Sequence, residues 1–125
     1  MGGNIKVIRK RKIHNELIAD LKIEQKKKLN STILRANDVP LQVDEIPILS
    51  IAASFANGLT IFKGLKELTV KESNRLLLIH ENLKKIGVKS NIKNYDLYIY
   101  GNHDLKKGGA IIKHNKDHRI LMSFF

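Results

Sequence analysis

Apolar and polar residues alternate at the start of the chain, through Ile5 and Val7 in "NIKVIRKRK" and then Ile18, Leu21 and Ile23 in "IADLKIEQ", the period-2 pattern of half-buried strands. Turn formers and a proline interrupt it in "NSTILRANDVPLQV", which predicts a loop with a short strand at Ile33 and Leu34. The period then changes. "DEIPILSIAASFANG" predicts a helix with Asp44 at its N-cap, Pro47 in the first turn, where a missing N–H costs little, and Gly58 past the end. Its body is apolar almost all round and includes the small residues Ala52, Ala53 and Ala56, so it should pack inside. "LTIFKG" follows as a short strand.

A second helix carries Leu76, Ile79, Leu83 and Ile86 on one face, with Glu81, Lys84 and Lys85 off it. Thr69 and Glu72 have capping-box spacing and place its start near Val70, and Gly87 is a suitable stop. "VKSNIKNYDLYIYG" predicts two strands about a turn near Asn94. "GGAIIKHNKDHRILMSFF" predicts a strand, a turn and a third helix opening at Asp117. Strands alternating with helices make the fold α/β. The last helix has barely two turns before Phe124 and Phe125, and both ends look cut, as expected of a segment from a longer domain.

Composition narrows the class. A chain of 125 residues, 42% of them hydrophobic, suits one domain that buries about two-thirds of its unfolded surface. No run approaches the roughly 20 apolar residues that span a bilayer. "MGGNIKVIRKRK" lacks the apolar core and cleavage site of a signal peptide, and Lys6 stands where a myristoylation signal would want Ser or Thr. The absence of cysteine removes disulfides and thiolate metal sites, and the expected location is the cytosol.

A net charge of +11 invites a reading as a small basic nucleic-acid-binding module. Against it, the cations are scattered, only Arg9 to Lys12 and Lys26 to Lys28 form runs, and no aromatic residues interleave with them as stacking platforms.

Candidate chemistry gathers at the predicted helix starts. Lys71 and Arg75, four apart, would share a face, with Glu72 three residues before Arg75. Around free N–H groups at the positive end of a helix these side chains would bind an anion and offer a proton. A capping box followed by a surface ion pair fits the same residues. "KDHR" places His118 and Arg119 in the opening turn of the third helix, and "VDEIP" places Asp44 and Glu45 before the first, where Asp44 also suits a plain N-cap. His103, His114 and His118 match no zinc spacing.

The segment "DEIPILSIAASFANGLTIFKGLKELTVKESNRLLLIHENLKKIGV", with "GGAIIKHNKDHRILMSF" after it, resembles the later half of the EPSP synthase (3-phosphoshikimate 1-carboxyvinyltransferase) family, and "VKESNR" and "DHR" carry the likeness. The resemblance implies part of one domain of a two-domain α/β prism, built from βαβαββ units with helices inside and sheets outside, about two of which this chain would cover. It implies transfer of the carboxyvinyl group of phosphoenolpyruvate to the 5-hydroxyl of shikimate 3-phosphate, with release of phosphate. No metal or organic cofactor is implied, nor a nucleic-acid or membrane partner, and the family is usually monomeric.

By matching position, Asp44 would take the hydroxyl proton and hold the shikimate ring. Lys71 would lie between the two substrates' anionic groups and also serve in proton transfer, and Glu72 would protonate and later deprotonate the methylene carbon of phosphoenolpyruvate. Arg75 and Arg119 would clamp its carboxylate, with His118 in support. Asn74 departs from the family's usual Asp. A Lys-Ser segment, a Gly-rich loop with its arginine, a Ser-Gln pair and a late lysine of the family fall outside these residues, so the chain by itself is expected to be inactive, as a remnant of a decayed gene would also be.

Overall fold

Two antiparallel strands open the computed structural model, which describes residues 1–24, 28–102 and 108–125. Lys26, Lys27 and His103 lie outside the described residues. Strands β1 (Asn4–Ile13) and β2 (Glu16–Glu24) are joined through His14 and Asn15, whose φ angles of 46° and 69° give the turn geometry that matches strand twist. The alternation predicted half-buried strands; the strands form, but they are not half-buried. Ile5, Leu17 and Ile23 are 60%, 72% and 73% exposed, because a half-buried strand needs an opposing layer and the described residues place none over either face.

The remaining strands form one sheet. β3 (Leu29–Asn30) and β4 (Ile33–Leu34) run parallel to successive parts of β5 (Ala56–Phe62), with Leu29 opposite Ala56 and Ile33 opposite Ile61. β5 pairs antiparallel with β7 (Asp96–Gly101), which pairs antiparallel with β6 (Lys89–Lys93). Asn94 and Tyr95, both at positive φ, make the predicted turn between β6 and β7. Gly101 is required here, since a Cβ would lie 2.1 Å from the Ala56 carbonyl and 2.4 Å from that of Ala53.

Helices α1 (Ile46–Ser54), α2 (Arg75–Lys85) and α3 (His118–Phe124) pack on one another and over one face of this sheet. From β4 to β7 the order is βαβαββ. Thr60, Phe62, Leu97 and Ile99 point inward and are buried, while Lys89, Asn91 and Lys93 are exposed. Helices inside and sheet outside is the arrangement that the resemblance implied. α1 is less enclosed than its composition predicted. Ser50 and Ala53 are buried, whereas Ile48 on the same helix is 49% exposed. The helix also stops at Ser54, not ahead of Gly58, and the chain enters β5 almost at once, with Gly58 at a φ of 95° inside the strand.

α2 begins five residues later than expected. Leu65 and Leu68 are fully buried by a 3-10 turn over Leu65–Val70, and Asn74, not Thr69, caps the helix by accepting from the Leu77 N–H at 3.1 Å. The Thr69 hydroxyl instead donates to the Lys66 carbonyl, so the Thr69–Glu72 capping box does not form. The other end is as predicted. Gly87 at a φ of 84° donates to Lys84, and Val88 donates to Leu83, which is the Schellman pairing.

The predicted strand at 110–113 is not formed. Its backbone pairs with a side chain: buried Asn82 donates to the Lys113 carbonyl at 2.8 Å and accepts from the Lys113 N–H at 3.0 Å, and the Lys85 ammonium donates to the Ile111 carbonyl. The segment is thereby tied to α2, with no strand partner among the described residues.

Candidate active site

Arg75, the first residue of α2, is 1% exposed, and a guanidinium at that depth needs compensating charge. Three carboxylates supply it. Arg75 Nε donates to Asp117 Oδ2 at 2.8 Å, Nη1 to Asp44 Oδ1 at 2.7 Å and Nη2 to Glu72 Oε2. Asp117, fully buried, is the N-cap of α3 and accepts from the Arg119 and Ile120 N–H groups. Asp44 precedes α1 without capping it. Its second oxygen lies 3.6 Å from Arg119 Nη2, and Glu45 lies 3.9 Å from Arg119 Nη1.

Asp44, Glu72, Arg75 and Arg119, scattered over three segments, are thus brought into one network. Lys71 sits at its edge, paired at 2.7 Å with Glu67 and close enough to Asp44 for each charge to steady the other. Lys71 and Arg75 do not share a helical face, because both Lys71 and Glu72 lie ahead of α2. His118 is exposed and lines a cleft of about 480 Å³ between α1 and α3, together with Asp44, Glu45, Ile48 and Arg119. The N–H groups expected to be free at the helix starts are in part taken up by Asn74 and Asp117, so charge is presented here by side chains.

Two of the carboxylates, Asp44 and Asp117, are biased toward ionisation. The hydrogen bond from Arg75 holds the Asp44 carboxyl below its usual range, and Arg119 adds to this. Burial by itself would raise Asp117, but hydrogen bonds from Arg75, Ser73 and the Ile120 amide outweigh it and the net shift is downward. Burial likewise opposes the charge on Arg75, and Asp117 and Asp44 restore it.

Two depressed carboxylates mean that the unfolded chain binds more protons in acid. Their stabilisation is fully present above the ordinary Asp value of about 3.9 and is lost as pH falls through their lower folded values. The urea midpoint should therefore fall steeply below about pH 4, and a midpoint that rose on acidification would contradict the network.

The sequence pointed to Asp44, Lys71, Glu72, Arg75, His118 and Arg119 at the predicted helix starts, but not to the partnership of Asp117 and Ser73 with Arg75. Asp117 was visible only as a helix opening. Among the described residues no group of three or more His, Asp or Glu side chains is placed to hold a metal ion, and no helix is long and apolar enough to cross a membrane. The basic run Arg9 to Lys12 lies on exposed β1, where Arg11 is 3.7 Å from Asp20.

Fold and cluster together define an α/β unit whose helix starts gather paired arginines and carboxylates, a chemistry suited to small anionic ligands. The family model of EPSP synthase (3-phosphoshikimate 1-carboxyvinyltransferase) matches residues 1–125, and the chain belongs to that family. Relatives named 3-phosphoshikimate 1-carboxyvinyltransferase include those of Methylobacterium radiotolerans, 38% identical, and Aquifex aeolicus, 40% identical, each over 124 residues. These matches cover 99% of this chain and 27% and 28% of the relatives. An EPSP synthase structure from Acinetobacter baumannii superposes with a TM-score of 0.89 at 35% identity, over 99% of this chain and 29% of that one. The chain spans little more than a quarter of the length of these relatives.

Proposed function

We propose that the chain carries one part of the active site of a 3-phosphoshikimate 1-carboxyvinyltransferase, and that β1–β2 and α3 belong to the units flanking its βαβαββ run. One observation supports this above the others: the Asp44 carboxylate lies against both Arg75 and Arg119, so a carboxylate fits between the two guanidinium groups. The carboxylate of phosphoenolpyruvate takes that place. Arg75 then exchanges Asp44 and Glu72 for the ligand and frees both side chains for chemistry.

In this reading Asp44 accepts the proton of the 5-hydroxyl of shikimate 3-phosphate as its oxygen bonds to C2 of phosphoenolpyruvate. Glu72 delivers a proton to the methylene carbon, which gives a tetrahedral adduct. Glu72 then removes a proton from the new methyl group as the C2–O bond to phosphate breaks. Lys71, near Asp44, offsets the charge of the two anions, and His118 borders the clamp from the cleft. Phosphorylated substrates suit the cytosol, the monomer is what the family resemblance implies, and the steps assign no role to a cofactor. Ligands from outside these 125 residues complete the site, so this chain alone binds phosphoenolpyruvate without turning it over.

Titration of the isotopically labelled chain with phosphoenolpyruvate tests the reading. Shifts should concentrate at Arg75, Glu72 and Arg119, and Arg119→Met should weaken binding about tenfold or more, as expected when a charged hydrogen-bond donor is removed. Shifts scattered over β1 and β2, or an affinity indifferent to Arg119→Met, would refute it.

A further inference from the structure

Arg75 and Arg119 reach the site from different helices, and one buried side chain touches both. Asp117 Oδ2 accepts from Arg75 Nε at 2.8 Å and from the Ser73 hydroxyl at 2.9 Å, while its Oδ1 accepts from the Arg119 N–H at 3.0 Å and the Ile120 N–H at 3.3 Å. Asp117 is fully buried, so water competes for neither oxygen. Its backbone is held as well. Asn115 and Lys116 take φ angles of 48° and 62°, and the Asp117 N–H returns to the His114 carbonyl at 2.8 Å, a tight turn that aims the carboxylate inward.

We propose that Asp117 is the positioning residue of the arginine pair: one oxygen sets the rotation of the Arg75 guanidinium and the other sets where Arg119 leaves the backbone. This rests on the reading that the two arginines receive the phosphoenolpyruvate carboxylate. The choice of atom matters. A guanidinium gripped at Nε keeps its Nη1 and Nη2 hydrogens for other acceptors, here Asp44 and Glu72, and a ligand carboxylate needs those same hydrogens. A grip on Nη would consume the fork itself. Ser73, between Glu72 and the α2 cap, braces the same oxygen from the other side, so the carboxylate cannot turn without losing two hydrogen bonds. Separately, Asp117 and Ser73 read as a helix cap and a turn residue. Jointly they form a rigid second layer behind the ligand-facing atoms.

Asp117→Ser separates the two duties, since serine still caps a helix but is too short to reach Arg75. In the labelled 125-residue chain, the wild-type Arg75 Nε–H should give a protected resonance with a through-hydrogen-bond coupling to the Asp117 carboxylate carbon. Asp117→Ser should accelerate exchange of that proton at least about tenfold and weaken phosphoenolpyruvate binding by a similar factor, with backbone signals of α1, β6 and β7 unmoved. Wild-type affinity and exchange in Asp117→Ser would overturn the proposal while leaving the binding reading intact. If phosphoenolpyruvate leaves Arg75 and Arg119 unmoved in the wild type, the binding reading fails, and the tether is judged on Nε–H exchange alone. If Asp117→Ser does not fold, the wild type decides: the coupling must survive saturation with phosphoenolpyruvate, and its disappearance would overturn the assignment.

Discussion

Arg75→Ala should destabilise the chain by about 3–5 kcal/mol, the cost of leaving buried charge without its partner. The alanine leaves Asp117 fully buried, with only a hydroxyl and two backbone N–H groups against its charge, and leaves Asp44 and Glu72 without their common cation. Domains of this size are stable by about 5–15 kcal/mol, so the variant would lose a large share of its stability. Urea denaturation followed by circular dichroism measures the loss. The double variant Arg75→Ala with Asp117→Ala should recover part of it, because no uncompensated charge then remains inside. A single variant within about 1 kcal/mol of wild type would show that the network does not hold these three segments together.

The second large effect concerns chemistry. In a chimera whose matched segment from the Aquifex aeolicus relative is replaced by these 125 residues, Glu72→Gln should lower kcat by about 10²–10⁴-fold, the range of a lost general acid–base group. The KM for phosphoenolpyruvate should change only a few-fold, because the amide retains the shape of the side chain and an oxygen for Arg75 Nη2. Steady-state kinetics against the unsubstituted chimera separates the two quantities. A KM effect with kcat preserved would make Glu72 a binding group and remove it from proton transfer.

Much of the local structure was legible because its causes are local. The Gly87 stop, the Asn94–Tyr95 turn and the Leu76, Ile79 and Leu83 stripe follow from positive-φ preferences and helical period, which operate over a few residues. The start of α2 was not legible. Thr69 with Glu72, and Asn74 with the Leu77 N–H, both satisfy local capping rules, and the choice falls to Asn74 where Leu65 and Leu68 bury themselves in a 3-10 turn. The strand expected at 110–113 failed for a related reason: apolar residues made it look like a strand, but the groups facing its backbone are the Asn82 amide and the Lys85 ammonium.

The candidate site divides along the same line. Sequence by itself determined which residues carry charge at the edges of the helical segments, namely Asp44, Lys71, Glu72, Arg75, His118 and Arg119, and through "VKESNR" and "DHR" it determined the family. Tertiary structure decided the partnerships. Arg75 meets Asp117 across 42 residues and Asp44 across 31, distances over which no periodicity or propensity acts. What selects those pairs is the cost of burying an unpaired charge, and that cost exists only once α1, α2 and α3 have closed over the sheet.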